Sequence, residues 1–464
     1  MKAKTVPNSW LKRHGRRLDC GPYMSGALEA RVLLESIEAP KVLLREVTRG
    51  GLQGIFHPGR IKRLWVDSAE HGRPFLSSSD ILEADLSRIP FISRRSVAEN
   101  PRLPISPTWT LITRSGTVGR MAYCRGGMDG HACSEHVLRV VPDSERIPPG
   151  YLYAYLSSKF GVSLVIGGTY GAIIQHIEPE HVADLPVPRL GKRVETEAHE
   201  LVIEGARLRD EATAAQQETL MRVAELIGWQ DQVSTTNITC AAASALRRRM
   251  DAFHHAPQVL RARELLGGCG AVRLADQTES VFEPNRGPRL KVEDPAFGVP
   301  FLSSSEVFRL DPSGEYFISK RRTPHLERLL VSERDLLLPR SGQLGGVIGR
   351  AVLPLPTCYG HAASEHLVRV RCRSKEDAFY LWSIFASEPG YLATIGTAYG
   401  SSIPSLDCDL LAQMKIPWFS DATRTELSVL VSSAVEANTR AIYAERSAVR
   451  IVEDAIEKGS RPDP

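Results

Sequence analysis

The chain says the same thing twice. Pro74-Phe75-Leu76-Ser77-Ser78-Ser79-Asp80 returns 226 positions later as Pro300-Phe301-Leu302-Ser303-Ser304-Ser305-Glu306. Arg114-Ser115-Gly116 returns as Arg340-Ser341-Gly342, Gly119-Arg120 as Gly349-Arg350, and His131-Ala132-Cys133-Ser134-Glu135-His136 as His361-Ala362-Ala363-Ser364-Glu365-His366. Order and spacing are kept over more than a hundred residues, so the sequence holds two copies of one domain. At 464 residues it is too long for a single core and suits two domains with connectors. Two similar but unequal domains at a fixed spacing fit a partner that also has two unequal halves.

The connectors are marked by charge. Formal net charge is +4, yet residues 194–227 hold eight acids against three arginines, and residues 422–458 hold six acids against five bases. The rest of the chain therefore carries +10. Basic globular parts between more acidic connectors would draw a phosphate backbone to the globular parts. No apolar run reaches the roughly 18–20 residues of a membrane span, and the basic N-terminus has no apolar stretch behind it. A cytoplasmic protein without membrane contact is expected. Eight cysteines with no C-x-x-C pair fit scattered thiols better than a disulfide framework or a zinc site.

The first copy spans 1–190 and the second 245–419. Short β-branched and apolar runs alternate with Gly, Pro and Ser clusters in each. Leu111-Ile112-Thr113 and Val137 to Val141 read as strands, as do Leu336-Leu337-Leu338 and Leu367 to Val370. Tyr151 to Phe160 and Ala378 to Ser387 read as helices. After each copy comes a long helical pattern, in segments 191–228 and 420–464, with 229–244 a polar linker. Val435, Ile442, Val449 and Ile456 fall seven residues apart, the spacing of a seam facing another helix. In the earlier segment Leu201, Leu208, Ala212 and Ala215 alternate in threes and fours. The expected fold is α+β: two mixed domains in tandem, separated by two long helices that form an antiparallel coiled coil.

Several doubled features suit contact with a polyanion. The Arg114-Ser115-Gly116 and Arg340-Ser341-Gly342 turns follow strands, where glycine lets backbone approach a ligand and arginine can reach phosphate or guanine. Arg120 and Arg350 close the same turns. The basic clusters Arg94-Arg95 and Lys320-Arg321-Arg322 occupy equivalent places. Thr169-Tyr170 and Thr397 with Tyr399, in Gly-Thr loops, offer hydroxyls for phosphates or base edges. Against these stand solvated turns, random basic surface and loop closure. His131/Glu135/His136 and His361/Glu365/His366 could be read as a metal or Ser–His site. However, residues 135 and 136 at a strand entry should point to opposite faces, and the histidines lack the i, i+4 spacing of zinc enzymes. A structural role at the sheet edge is expected, with no metal and no catalytic residue. The chain has no Asn/Asp-Pro-Pro-aromatic tetrad, no phosphate-binding G-x-x-x-x-G-K-[ST] loop and no paired acidic–lysine nuclease pattern; Asp294-Pro295-Ala296-Phe297 lacks the second proline.

The combination resembles the specificity subunit of type I restriction–modification systems. Its carriers are Leu111 to Arg120 with the twin around Arg340-Ser341-Gly342, the Ser134 to Val140 segment with its twin, and the loops running from Gly168 to Pro188 and from Gly396 to Pro417. The resemblance covers nearly the whole chain and implies two target-recognition domains, each followed by a spacer helix. It implies a non-catalytic subunit that reads an asymmetric bipartite site in double-stranded DNA. Its partners would be adenine methyltransferase subunits, two in number, which bring S-adenosylmethionine, and a motor–nuclease restriction subunit. This chain itself would bind no cofactor. The rival readings are a DNA-specificity adaptor for another phage-defence enzyme, a hydrolase using the doubled Ser-Glu-His, and a scaffold built on the long helices.

Overall fold

The structure, a computed structural model, describes residues 4–8, 10, 21–167, 176–230, 240, 246, 249–268 and 270–459. The chain is α+β and divides into two compact units, Met1–Asp210 with Arg440–Pro464, and Glu211–Thr439.

In the first unit one antiparallel sheet has the strand order Ile55–Phe56, Val137–Val140, Thr110–Thr113, Met121–Tyr123. A second sheet runs Trp65–Val66, Phe91–Ser93, Gly72–Leu76, Ala132–Cys133, and its last pair is parallel, with Phe75 opposite Ala132. The repeated Ser-Ser-Ser-Asp segment follows that strand as a tight turn, closed by the Ser77 N–H donating to the Asp80 carboxylate at 2.7 Å. Helices Pro149–Ser157 and Lys159–Gly167 carry an apolar face onto the first sheet, burying Tyr151, Leu152, Tyr155 and Leu164 with Leu138 and Val140. The Tyr151 and Tyr155 hydroxyls donate to the carbonyls of Pro188 and Pro186, which keeps buried phenols satisfied.

The second unit repeats the plan. One sheet runs Thr278–Phe282, Leu367–Cys372, Asp335–Pro339, and the other Lys291–Val292, Tyr316–Ser319, Gly298–Leu302, Ala362–Ala363. Phe301 lies opposite Ala362 in the parallel pair, and the Ser303 N–H donates to Glu306 at 3.1 Å. Helix Lys375–Ala386 lies on the first of these sheets, and the Tyr380 hydroxyl donates to the Pro417 carbonyl at 2.6 Å. Each unit also buries one arginine completely. Arg139 donates to the carbonyls of Leu103, Cys133, Ser134 and Val137; Arg369 donates to those of Leu329, Ala363, Ser364 and Leu367. Among the described residues no carboxylate accepts from either guanidinium; the positive charge is met by backbone dipoles.

The long helices are Lys192–Ile227 and Asp421–Glu457. Within the first unit, Ala198, Val202, Ala448, Val452, Ala455 and Ile456 enter the same core as the domain, with Leu208 and Ile442 also buried. Leu201 and Val449 are half-buried. A Cβ on Gly205 would stand 3.0 Å from the Glu445 side chain, so the backbones approach closely there. Arg209 and Glu445 then form a two-pronged ion pair, both contacts 2.8 Å. Within the second unit, Val223 and Ile227 share a core with Leu427, Val431 and Val435, and Arg222 pairs with Glu426 at 3.1 Å. Ala212 is buried and Ala215 half-buried. The buried face of the first helix passes through Ala198, Val202, Gly205, Arg209 and Ala212, with Leu201 packing against the same core from the margin and Ala215 half-buried. The sequence pattern hides this because Arg209 occupies a buried position, tolerated by its carboxylate partner. Among the described residues no helix is long and apolar enough to cross a membrane.

Candidate nucleic-acid interface

The basic clusters predicted from sequence lie at one edge of each unit's second sheet. In the first unit the edge strand Trp65–Val66 pairs with Phe91–Ser93, and the Ser93 N–H donates to the Leu64 carbonyl at 2.8 Å. Chain carrying Arg60, Lys62 and Arg63 therefore meets Arg94 and Arg95, thirty residues on. Helix Arg94–Glu99 begins there because the Ser93 hydroxyl accepts the Ser96 N–H at 3.1 Å. Arg94 and Arg95 are exposed, Arg94 donating to the Ala69 carbonyl and Arg95 pairing with Glu99. In the second unit the Ser319 N–H donates to the Leu290 carbonyl at 2.9 Å, which places the segment with Arg286, Arg289 and Lys291 beside exposed Lys320, Arg321 and Arg322.

Sequence reasoning found one half of each stripe and missed the other. The missed half had a signal: Arg63 and Arg289 keep the 226-residue offset of Phe75 and Phe301. Their neighbours differ so much that the match does not stand out. Both arginines are held in the same way. The Arg63 guanidinium lies over the Phe75 ring, 5.0 Å from its centre, and reaches Glu135 at 3.0 Å. Arg289 lies 4.6 Å over Phe301 and reaches Glu365 at 2.6 Å. Burial pushes both carboxyls up, but their own backbone N–H groups and the facing arginines outweigh it, leaving both below the usual carboxylate range.

The Arg-Ser-Gly arginines turn inward. Arg114 donates to the Ile177 carbonyl at 2.8 Å and pairs with Glu178; Arg340 pairs with Glu283 at 2.7 Å. Both are mostly buried, so in this structure they fasten chain segments together rather than project from the surface. Gly116, at φ +80°, makes the turn that a side chain would strain. Ser115 accepts or donates at 2.6 Å to His136 Nδ1, whereas Ser341 meets Ser405 at 2.7 Å. Burial and then Arg114 lower the pKa of His57, which sits 3.4 Å from Glu178. Arg120 is exposed, and Arg350 stacks 4.7 Å over Phe308. Tyr399 is exposed in a short strand, but Thr397 is buried and its hydroxyl donates to the Thr394 carbonyl. Thr169 and Tyr170 lie outside the described residues.

One sequence argument needs correction. Residues 134–136 form a turn ahead of the strand, closed by the Val137 N–H on the Ser134 carbonyl, so strand alternation does not apply to them. Glu135 and His136 stand 3.6 Å apart, and Glu365 and His366 3.9 Å. Both carboxylates are occupied by arginine. Among the described residues no cluster of metal-ligating side chains occurs, and the described cysteines are free thiols.

No family model and no curated protein matches the chain. Solved structures do. The type I restriction–modification system S subunit from M. genitalium aligns over 92% of this chain and 97% of its own, at 11% identity and TM-score 0.30. The HsdS subunit from Thermoanaerobacter tengcongensis aligns over 90% and 96%, at 13% identity and TM-score 0.28. A chain from a study of assembly and conformational transition in the type I R-M system aligns over 92% and 100%, at 15% identity and TM-score 0.30. The chain is similar to type I S subunits. Likeness at these scores carries no argument of its own, and the functional reading rests on the residues.

Proposed function

We propose that this chain is the non-catalytic DNA-sequence-recognition subunit of a type I restriction–modification complex. Residues 1–190 and 245–419 would be target-recognition domains, each reading one half of an asymmetric bipartite site. The observation that carries this reading is the basic stripe at equivalent sheet edges of both units: Arg60, Lys62, Arg63, Arg94 and Arg95 in one, Arg286, Arg289, Lys291 and Lys320 to Arg322 in the other. A stripe placed twice by the same strand pairing, but built from different side chains, suits two short duplex stretches of unlike sequence. Phosphate contacts would position each unit and base-edge contacts would specify.

The long helices would pair antiparallel as a spacer and dock two adenine methyltransferase subunits, which would hold S-adenosylmethionine; a motor–nuclease would join them. Support for the pairing comes from an ion pair between the two helices within each unit, Arg209 with Glu445 in one and Arg222 with Glu426 in the other. The test is to retain random-sequence duplexes on the purified full chain and sequence what stays bound. Two short unlike motifs at a constant gap are expected. One contiguous motif, or no enrichment at low salt, would overturn the reading.

A further inference from the structure

The stripes contain two kinds of cation. Arg95 is 85% exposed and held only by a helical neighbour, Glu99; Arg60, Lys62, Arg94, Arg286, Lys320, Arg321 and Arg322 are likewise exposed. Such side chains suit a phosphate backbone, which asks for charge but not for a fixed plane. Arg63 and Arg289 differ. Each has its guanidinium carbon over a phenylalanine ring and one terminal nitrogen on a carboxylate, and each retains about a third of its side-chain surface, 33% and 34%. Both fix the plane of the fork and leave part of it open to solvent. The surroundings are rebuilt to the same end. Trp65 meets Phe75 edge-on in the first unit, and Tyr316 stacks on Phe301 at 20° in the second.

We infer that Arg63 and Arg289 are the base-reading residues of the two units, each held as an oriented planar fork for the O6/N7 edge of a guanine. The exposed cations around them contact phosphate. This rests on the DNA-recognition reading above and assigns its specificity to two residues. A guanidinium anchored in plane offers two parallel N–H groups, the pattern that matches guanine in the major groove; an ammonium cannot reproduce it. If the Arg–Glu pairs merely pinned the edge strands, lysine would serve nearly as well.

The test repeats duplex selection with the full chain carrying Arg63→Lys, Arg289→Lys, Glu135→Gln or Arg60→Ala. Arg63→Lys should weaken the preference for a G·C pair in one half-site by roughly tenfold or more while leaving the other half-site intact. Arg289→Lys should do the reverse. Glu135→Gln keeps the arginine but frees it, and should blunt the same base pair as Arg63→Lys. Arg60→Ala should reduce retention evenly across sequences and lessen its salt dependence. If both lysine variants melt with the wild type and enrich its motif unchanged, the assignment fails. If the wild type itself enriches nothing, the recognition reading falls first, and the assignment with it.

Discussion

The two units solve one problem with different atoms. In each, an arginine follows a buried strand and must be neutralised where water is scarce. In the first unit the acid is Glu178, from the segment returning after the helices; in the second it is Glu283, just past a strand far earlier in the domain. Glu283 stands 226 residues after His57, and His57 touches the Glu178 that does its work in the first unit. The serines behave alike: Ser115 turns to His136 and Ser341 to Ser405. A repeated residue therefore marks a place in the framework, while its partner is free to change so long as charge and hydrogen bonds are met.

The largest expected contrast lies along the long helices. Arg209→Ala strands Glu445 against a buried surface and should cost about 3 kcal/mol or more in urea unfolding. Arg222→Ala removes a half-exposed, solvent-screened pair and should cost far less, within the scatter of a surface substitution. Equal losses would mean that the two sections are held alike. Smaller is the effect of exchanging partners. Glu178→Gln should destabilise by about 1–3 kcal/mol by leaving Arg114 without its acid. His57→Glu added to it would transplant the second unit's arrangement and should recover part of that loss; no recovery would show that the two solutions are not interchangeable.

The smallest effect concerns acid. The Gly150 N–H donates to His199 Nδ1 at 3.0 Å, which requires a neutral ring, and burial lowers the pKa of His199. At the matching place in the second unit, Ser428 donates to the Glu376 carbonyl and cannot titrate. Because the folded pKa lies below the unfolded value, the unfolded chain takes up the proton first as pH falls. This contribution is therefore present above about pH 6.5 and lost below it. His199→Gln should slightly flatten the change in stability between pH 7 and 5, and Ser428→Ala should not. A change of slope in both, or in neither, would remove the asymmetry.

Much of this was legible in the sequence. The repeat pointed to matching strands in the two copies, and apolar spacing pointed to long helices where Lys192–Ile227 and Asp421–Glu457 run. The rest was hidden for identifiable reasons. Arg114 looked free because Glu178 lies 64 residues away. Arg209 gave no sign of its buried place because its partner is 236 residues away. Arg63 sits in the stretch where the copies diverge most. Thr397 looked like an offered hydroxyl, but the helix end it closes buries it. Local pattern reports which face of an element is apolar; it does not report a charge whose answer comes from distant chain.

Backbone acceptors leave even less trace, and Arg139 shows what that conceals. Its guanidinium collects the carbonyls of Cys133, Ser134 and Val137, the peptides on either side of Glu135. A cation sealed inside the protein thereby fixes the bend from which the carboxylate emerges, and that carboxylate aims a second cation at the solvent. The direction in which the outer arginine points is set from within, by a side chain with no surface of its own.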